Sequence, residues 1–536
     1  MKVVSVQEMK EIEQRADEHG VSYTTMLENA GRNLGLWLSN KFAQRRPHSV
    51  IGLIGSGNNG GDTLVALEYL AKRAWICIAY LVKERSEGDM YLARFVKAGG
   101  TVIHVTDDQD FEIFSGILSH CVLILDGIFG TGIKQPLEDD LSLVLYNIKA
   151  NITESSLKHE IIAVDCPSGL DCDTGEVSES CIPADYTACM GAVKQGILKF
   201  PGVKYTGNLI GIDIGLPKDF PPIEQKLTLM IDDNYVQEHL PKRPRDAHKG
   251  TFGTCVIFAG SEEYIGAAYL SGKAAYLSGA GLVHMLVQPK VYRALAGNFP
   301  EAIWSVFSQE TLNDENQLMH SLVKIQKNRN ALLLGPGIGQ SVYSNNLFEH
   351  LLLNNIKLET ESEKTIQGMS PIIIDADGLR LLSKFDRWWE MLPKNSVLTP
   401  HPGEMAALTG LNINEIQSDR WNLTKHYAQY WGMNIVLKGA ITVVANPNGI
   451  LAIIPIASPA LATAGTGDIL AGLITGFCAQ GVNTFEASVL AAYIHGQAGI
   501  LAEQKFGQSA SVTANDVLSF IPEIIRLINN KQTACF

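Results

Sequence analysis

Short apolar runs that end in an acid or a glycine-rich turn, and then pass into a stretch of helical periodicity, recur along this chain. Ser49-Val50-Ile51-Gly52-Leu53-Ile54 runs into Gly55-Ser56-Gly57, Val122-Leu123-Ile124-Leu125 into Asp126-Gly127, and Ile161-Ile162-Ala163-Val164 into Asp165. Ala331-Leu332-Leu333-Leu334 and Ile372-Ile373-Ile374 do the same with Gly335 and Asp375. Strands covered on both faces read as unbroken apolar runs, and their alternation with helices builds open α/β sheets with parallel strands. All strand C-termini of a parallel sheet lie on one edge, so Asn59, Asp126, Asp165 and Ser168 are expected to converge around one crevice. Three oxygen-bearing loops there suit a monovalent cation beside a ligand pocket.

A length of 536 residues exceeds one ordinary core and calls for two or three domains. Proline-marked stretches, 217–222 and 241–246, set the boundary: a first domain over 1–222, a linker over 223–245 and a second domain over 246–536. The 49 glycines fit tight strand-to-helix turns, and a net charge of -13 argues against a nucleic-acid or anionic-membrane surface. Nine cysteines, mostly inside apolar runs, fit a reducing compartment. Cys166, Cys172, Cys181 and Cys189 lie close together but lack the C-x-x-C pairing of zinc sites. Residues 1–15 mix charges with apolar residues rather than forming a signal-peptide core, and Pro455 and Pro459 interrupt the apolar run over 450–464, so a cytoplasmic location is expected.

Four stretches carry chemistry. Gly55-Ser56-Gly57-Asn58-Asn59-Gly60 has the G-x-G-x-x-G spacing of a dinucleotide turn between strand and helix, and Asn58-Asn59-Gly60-Gly61-Asp62 adds two amides and an acid. Those residue types serve equally well as turn and cap residues. In Ala464-Gly465-Thr466-Gly467-Asp468, the N–H groups of Gly465, Thr466 and Gly467 are expected to open a helix and form an anion hole, with Asp468 beside it to take a proton from an attacking hydroxyl. An ordinary helix start is the alternative. His401, before Pro402-Gly403, is a turn residue or a site residue; Lys438, closing a buried strand, is a solvated charge or a nucleotide contact. Ala267 to Ala274 approaches a Walker loop but lacks its first glycine and its hydroxyl.

The run Gly57 to Asp62, Met26-Leu27-Glu28-Asn29-Ala30-Gly31, Asp126-Gly127-Ile128-Phe129-Gly130-Thr131-Gly132, Asp165-Cys166-Pro167-Ser168-Gly169-Leu170-Asp171 and Asp213-Ile214-Gly215-Leu216-Pro217 resemble the YjeF N-terminal family, the NAD(P)H-hydrate epimerases. The resemblance implies a Rossmann-like three-layer α/β sandwich. It also implies that Asn58, Asn59, Gly60, Gly61, Asp62, Gly130, Thr131, Gly132, Ile133, Lys134, Gln135, Pro136 and Asp165 meet the hydrated dinucleotide, and that Asn59, Asp126 and Ser168 ligate potassium. Asp165 is the expected proton-transfer group. Thr63 departs from the family's usual glycine.

The second half, through Gly335-Pro336-Gly337-Ile338-Gly339, Asp375-Ala376-Asp377, Thr399-Pro400-His401-Pro402-Gly403-Glu404, Lys438-Gly439 and Gly465-Thr466-Gly467-Asp468, resembles the YjeF C-terminal family. That resemblance implies a ribokinase-like α/β domain acting as an ADP- or ATP-dependent NAD(P)H-hydrate dehydratase, with magnesium on the nucleotide. Gly266, Gly337, His401 and Asp468 would face the hydrate; Lys438, Gly439, Ala440, Ile441, Thr442, Gly465, Thr466 and Gly467 would face the nucleotide. Thr251 stands where an acid is frequent. The implied partners are small molecules and, through family likeness, further copies of the chain. Two rivals stand beside this reading: a small-alcohol kinase that stops at the phosphorylated product, and a non-catalytic N-terminal scaffold.

Overall fold

The structure, a computed structural model, describes residues 1–530 apart from 134, 138, 315, 317, 319, 322–324, 326–328 and 361–369. The chain divides into two compact units, 1–228 and 229–536.

The first unit is built on seven parallel strands: β1 (Ser49–Ile54), β2 (Ile76–Leu81), β3 (Thr101–His104), β4 (Leu123–Gly127), β5 (Glu160–Val164), β6 (Tyr186–Met190) and β7 (Asn208–Ile212), in the order β3-β2-β1-β4-β5-β6-β7. The apolar runs are covered on both faces. Val50, Ile54 and Leu123 enter one hydrophobic cluster, and Ile51, Leu53 and Ile124 enter another on the opposite side. This is the Rossmann-like three-layer sandwich.

On the first face lie α1 (Val6–Glu18), α2 (Tyr23–Lys41) and α3 (Asn58–Ala71). Met9, Ile12 and Ala16 form the buried stripe of α1, whose start is fixed by a Ser5–Glu8 capping box. Helix α3 begins one residue after Gly57, so Asn58 to Asp62 form its first turns rather than a free loop. Thr63 is therefore helical, and its hydroxyl donates to the Asn59 carbonyl at 2.8 Å. A β-branched residue carries no left-handed strain there.

The second unit holds ten strands: β8 (Thr228–Met230), β9 (Thr254–Phe258), β10 (Leu282–Val287), β11 (Ile303–Val306), β12 (Ala331–Leu334), β13 (Ile372–Ile374), β14 (Val397–Leu398), β15 (Asn434–Leu437), β16 (Thr442–Ala445) and β17 (Leu451–Ile454). Their order is β8-β17-β16-β15-β14-β13-β12-β9-β10-β11. Neighbours from β15 to β11 run parallel, whereas β15, β16 and β17 meander antiparallel. This is the ribokinase-like half of the α/β architecture. Thr228–Met230 and a helix over Asp233–His239, both inside the stretch 223–245, have regular structure, and Ile231 N–H bonds the Ile453 carbonyl at 3.0 Å.

One face of this sheet packs α4 (Ile265–Leu277) and α6 (Thr466–Ala479), which together with α7 (Thr484–Phe506) and α8 (Ala514–Asn530) enclose the main core; α5 (Pro402–Thr409) follows β14. The small residues of α6 let it approach α4 closely: a Cβ on Gly472 would lie 2.2 Å from the Ser271 carbonyl oxygen. Ala267 to Ala274 lie inside α4 and form no phosphate loop. Thr251 accepts from His248 N–H at 3.2 Å and so closes a short helical turn. Among the described residues, no helix is long and apolar enough to cross a membrane.

Candidate active sites

In the first unit a cavity of about 570 Å³ lies over the C-terminal ends of β1, β4 and β5. Asn58, Asn59, Asp62, Gly130, Thr131, Gly132, Ile133, Pro136 and Asp165 line it, as do Glu13 of α1, Lys83 and Met190. A second cavity of about 230 Å³ shares Glu13, Asn58, Asp62 and Met190 with the first and adds Tyr23, Met26, Leu27 and Tyr91. Gly60 and Gly61 are not among the residues lining either cavity. A Cβ on Gly60 would lie 2.1 Å from the Gly55 carbonyl oxygen, and one on Gly61 would meet Leu27 at 3.0 Å. Gln135 donates to the Gly169 carbonyl at 2.7 Å rather than lining the cavity, and Lys134 lies outside the described residues.

Beneath the cavity floor, Asp126 accepts from Ser168 Oγ at 2.5 Å and from Ser168 N–H at 2.7 Å. Burial pushes its carboxyl up to about 6, against the pull of those hydrogen bonds, and every donor to it is neutral. Asn59 spends its amide N–H groups on the carbonyls of Phe129 (2.8 Å) and Val164 (2.6 Å), which leaves its Oδ1 as an acceptor. The floor thus offers oxygen acceptors around a buried carboxyl whose hydrogen-bond donors among the described residues are neutral.

Asp165 has a left-handed backbone (φ 65°), a conformation that non-glycine residues adopt at a cost and that tends to sit at functional positions. Its Oδ1 accepts from Lys194 Nζ at 2.5 Å and from Met190 N–H at 2.9 Å. Lys194 is 1% exposed and also donates to the Met190 carbonyl. Burial pulls this ammonium down, but the charge and hydrogen bond of Asp165 carry it above its ordinary value, so the pair is ionic. Asp62 has no such partner among the described residues. Burial first, then the charges of Asp165 and Glu13, push its carboxyl well above the usual range, against the pull of Lys194. The carboxyl of Glu13 is raised as well, by burial. Sequence reading missed Lys194 and Glu13; the only signal for Lys194 was a lone cation closing the apolar run Cys189-Met190-Gly191-Ala192-Val193.

In the second unit a cavity of about 450 Å³ is lined by Gly266, Gly337, Gly465 and Asp468, together with Tyr264, Ala376, Asp377, Arg380 and Glu404. Gly465 takes a left-handed turn (φ 94°) and α6 starts at Thr466, so Asp468 stands in the first helical turn. Thr466 turns its hydroxyl inward to the carbonyls of Leu461 and Thr463 and fixes the turn. Burial, then the neighbouring Asp375, push the Asp468 carboxyl up to about 7; Lys438 opposes and Asp377 adds to the rise.

Lys438 Nζ lies 2.6 Å from Asp375 Oδ1 and 3.6 Å from Glu404 Oε2, and Thr399 Oγ1 donates to the same Asp375 oxygen at 2.7 Å. A Cβ on Gly467 would be 3.6 Å from Lys438 Nζ, so the lysine lies against the helix-opening turn. Gly439 and Ile441 are pinned from behind by Arg420, which donates to the carbonyls of Leu437, Lys438 and Ile441. Ala440 is exposed, and Thr442 Oγ1 donates to the Gly439 carbonyl at 3.3 Å. His401 is not among the residues lining the cavity. Its Nδ1 accepts from Gly403 and Glu404 N–H and caps α5, its Nε2 faces Glu404 Oε1 at 3.3 Å, and its side chain is 46% exposed. The structure therefore gives His401 a capping role, with any ligand contact coming from the exposed ring.

Comparison with known proteins matches both halves. The family model for NAD(P)H-hydrate dehydratase matches residues 255–523, and that for the YjeF-related protein N-terminus matches residues 23–196. A bifunctional NAD(P)H-hydrate repair enzyme of Moorella thermoacetica is 32% identical across 98% of this chain and 97% of its own length. One of Thermofilum pendens is 30% identical across the same shares, and one of Leishmania braziliensis 28% identical across 95% and 91%. Among solved structures, the ADP/ATP-dependent NAD(P)H-hydrate dehydratase of Bacillus subtilis, co-crystallised with ATP/Mg2+, is 29% identical, with a TM-score of 0.46 over 55% of this chain and 97% of that one.

Proposed function

This chain belongs to the family of bifunctional NAD(P)H-hydrate repair enzymes, and we propose from its two cavities which residues carry each activity. It restores hydrated NADH and NADPH: the N-terminal half interconverts the R and S hydrates, and the C-terminal half dehydrates the S hydrate at the expense of ADP or ATP.

The dehydratase assignment rests on Asp468, a carboxyl that lines its cavity in the first turn of a helix whose N–H groups lie alongside. The hydrate carries a hydroxyl on the carbon beside the ring nitrogen. Asp468 takes the proton of that hydroxyl as its oxygen attacks the terminal phosphorus of the nucleotide, and the N–H groups of Gly465 and Gly467 stabilise the negative charge that develops, whereas the Thr466 N–H, expected to join them, bonds the Thr463 carbonyl at 3.4 Å. The phosphorylated oxygen is then a good leaving group, and the ring nitrogen's lone pair expels it and restores reduced nicotinamide. Lys438 and the segment Gly439 to Thr442 are the proposed nucleotide contacts, while Gly266, Gly337 and the exposed ring of His401 face the hydrate. Magnesium bound with the nucleotide would supply charge neutralisation at the phosphates.

For the epimerase, Asn58, Asn59, Gly60, Gly61, Asp62, the segment Gly130 to Pro136 and Asp165 form the proposed dinucleotide site, with Asp165 in proton transfer. Asn59, Asp126 and Ser168 would hold potassium, which would offset the charge of the buried Asp126 carboxylate; this reading is supported by the donor set, which is oxygen throughout. Replacing potassium by lithium is expected to slow epimerisation while S-hydrate dehydration proceeds unchanged, as followed by chiral chromatography of the hydrates. Equal loss of both activities would contradict this division.

A further inference from the structure

Of the three carboxyl groups that line the larger N-terminal cavity, Glu13, Asp62 and Asp165, the last two differ most in their partners, one ion-paired and one not, which is an arrangement suited to an acid–base pair. Asp165, from the end of β5, is paired with Lys194 Nζ at 2.5 Å and accepts from the Met190 N–H at 2.9 Å. Asp62, from the first turns of α3, accepts no hydrogen bond from the described residues and is 9% exposed. Around Asp62 stand the acids Glu13 and Asp165, the cations Lys194, Lys83 and Arg85, and the phenols of Tyr23 and Tyr91. Of these, Lys194 is committed to Asp165, and Arg85 to Asp89 and the carbonyls of Gly55 and Gly57.

We propose that Asp62 is a catalytic acid of epimerisation, acting with Asp165 as base, and that the two epimers interconvert by loss and re-addition of water. The ring nitrogen's lone pair forms a C=N bond as the C–O bond breaks, and the Asp62 proton passes to the departing oxygen, releasing water. A second water then adds to the other face of the iminium carbon, the C=N pair returns to nitrogen, and the extra proton of the added water passes to Asp165. Asp62 ends ionised and Asp165 protonated; proton exchange with solvent resets them, and no oxidant or reductant is needed. Lys194 is a positioning residue that keeps Asp165 ready to accept. Because Asp62 must begin protonated, the raised affinity of its carboxyl for a proton sustains the reaction near neutral pH, and the rate falls as the pH rises through its titration.

This inference rests on the epimerase reading of the N-terminal half, and the test separates the two. Epimerisation of purified R hydrate by the full chain is followed in H2-18O with wild type, Asp62→Asn and Asp165→Asn. The expected result is one 18O gained at the hydroxyl per epimerisation by wild type, with Asp62→Asn slower by about 100-fold or more and no longer losing rate at high pH. The labelling is read on wild type and so stands even if a variant fails to fold. Native-rate epimerisation by Asp62→Asn, or epimerisation by wild type with retention of 16O, as ring opening would give, overturns the role of Asp62 while leaving the epimerase reading in place. A wild-type chain that dehydrates S hydrate but does not epimerise R hydrate overturns both.

Discussion

Asp468→Asn is expected to lower dehydration of the S hydrate, and with it repair of both epimers, by about two to four orders of magnitude, the range spanned by removal of a positioned general base. Asparagine keeps the shape of the side chain in the first turn of α6, and Asp468 takes part in no ion pair among the described residues, so the melting temperature is expected to stay close to that of wild type. The pH profile supplies the check on mechanism. A base must be ionised, and burial beside Asp375 sets the Asp468 carboxyl at about 7, so the wild-type rate rises with pH through that value and the Asn variant loses this limb. Recovery of reduced-nicotinamide absorbance from S hydrate with ADP or ATP measures both. A native rate in the variant would remove Asp468 from the chemistry and return the turn to an ordinary helix start.

Asp165→Asn is expected to abolish interconversion of the epimers and leave S-hydrate dehydration at its native rate. Asparagine tolerates the left-handed backbone at this position. It cannot balance Lys194, however, and an unpaired buried ammonium costs roughly 3–5 kcal/mol, so the variant is expected to melt earlier. A double variant with Lys194→Met removes the stranded charge and is expected to regain stability without regaining epimerase activity. Chiral chromatography of a racemic hydrate mixture reads the outcome: S hydrate disappears and R hydrate persists. Consumption of R hydrate by the double variant at the wild-type rate would contradict the assignment.

The strand-and-turn rhythm was legible because a strand covered on both faces leaves an unbroken apolar run, and its C-terminal turn then carries whatever faces the crevice. That rule alone brought Asn59, Asp126, Asp165 and Ser168 to one edge. It could not tell loop from helix at Asn58 to Asp62, because asparagine, glycine and aspartate favour turns yet here open α3 directly after Gly57. Nor could it find Lys194, whose partner Asp165 lies 29 residues away, or Glu13, which reaches the cavity from the separate helix α1. His401 shows the opposite limit: a histidine beside a site motif spends its Nδ1 on the N–H groups of its own helix. Lys438 was legible as a strand-end cation, but its ion pair with Asp375 depends on two strands that are neighbours in space only through β14.

The central claim, that one chain prepares and then completes the repair, is tested most directly by supplying wild type with both epimers of hydrated NADH and ADP or ATP, and following reduced-nicotinamide absorbance to its end point. The account predicts full recovery of both epimers, with the R fraction appearing after the S fraction. An end point equal to the S fraction alone, or accumulation of a stable phosphorylated hydrate, would contradict it.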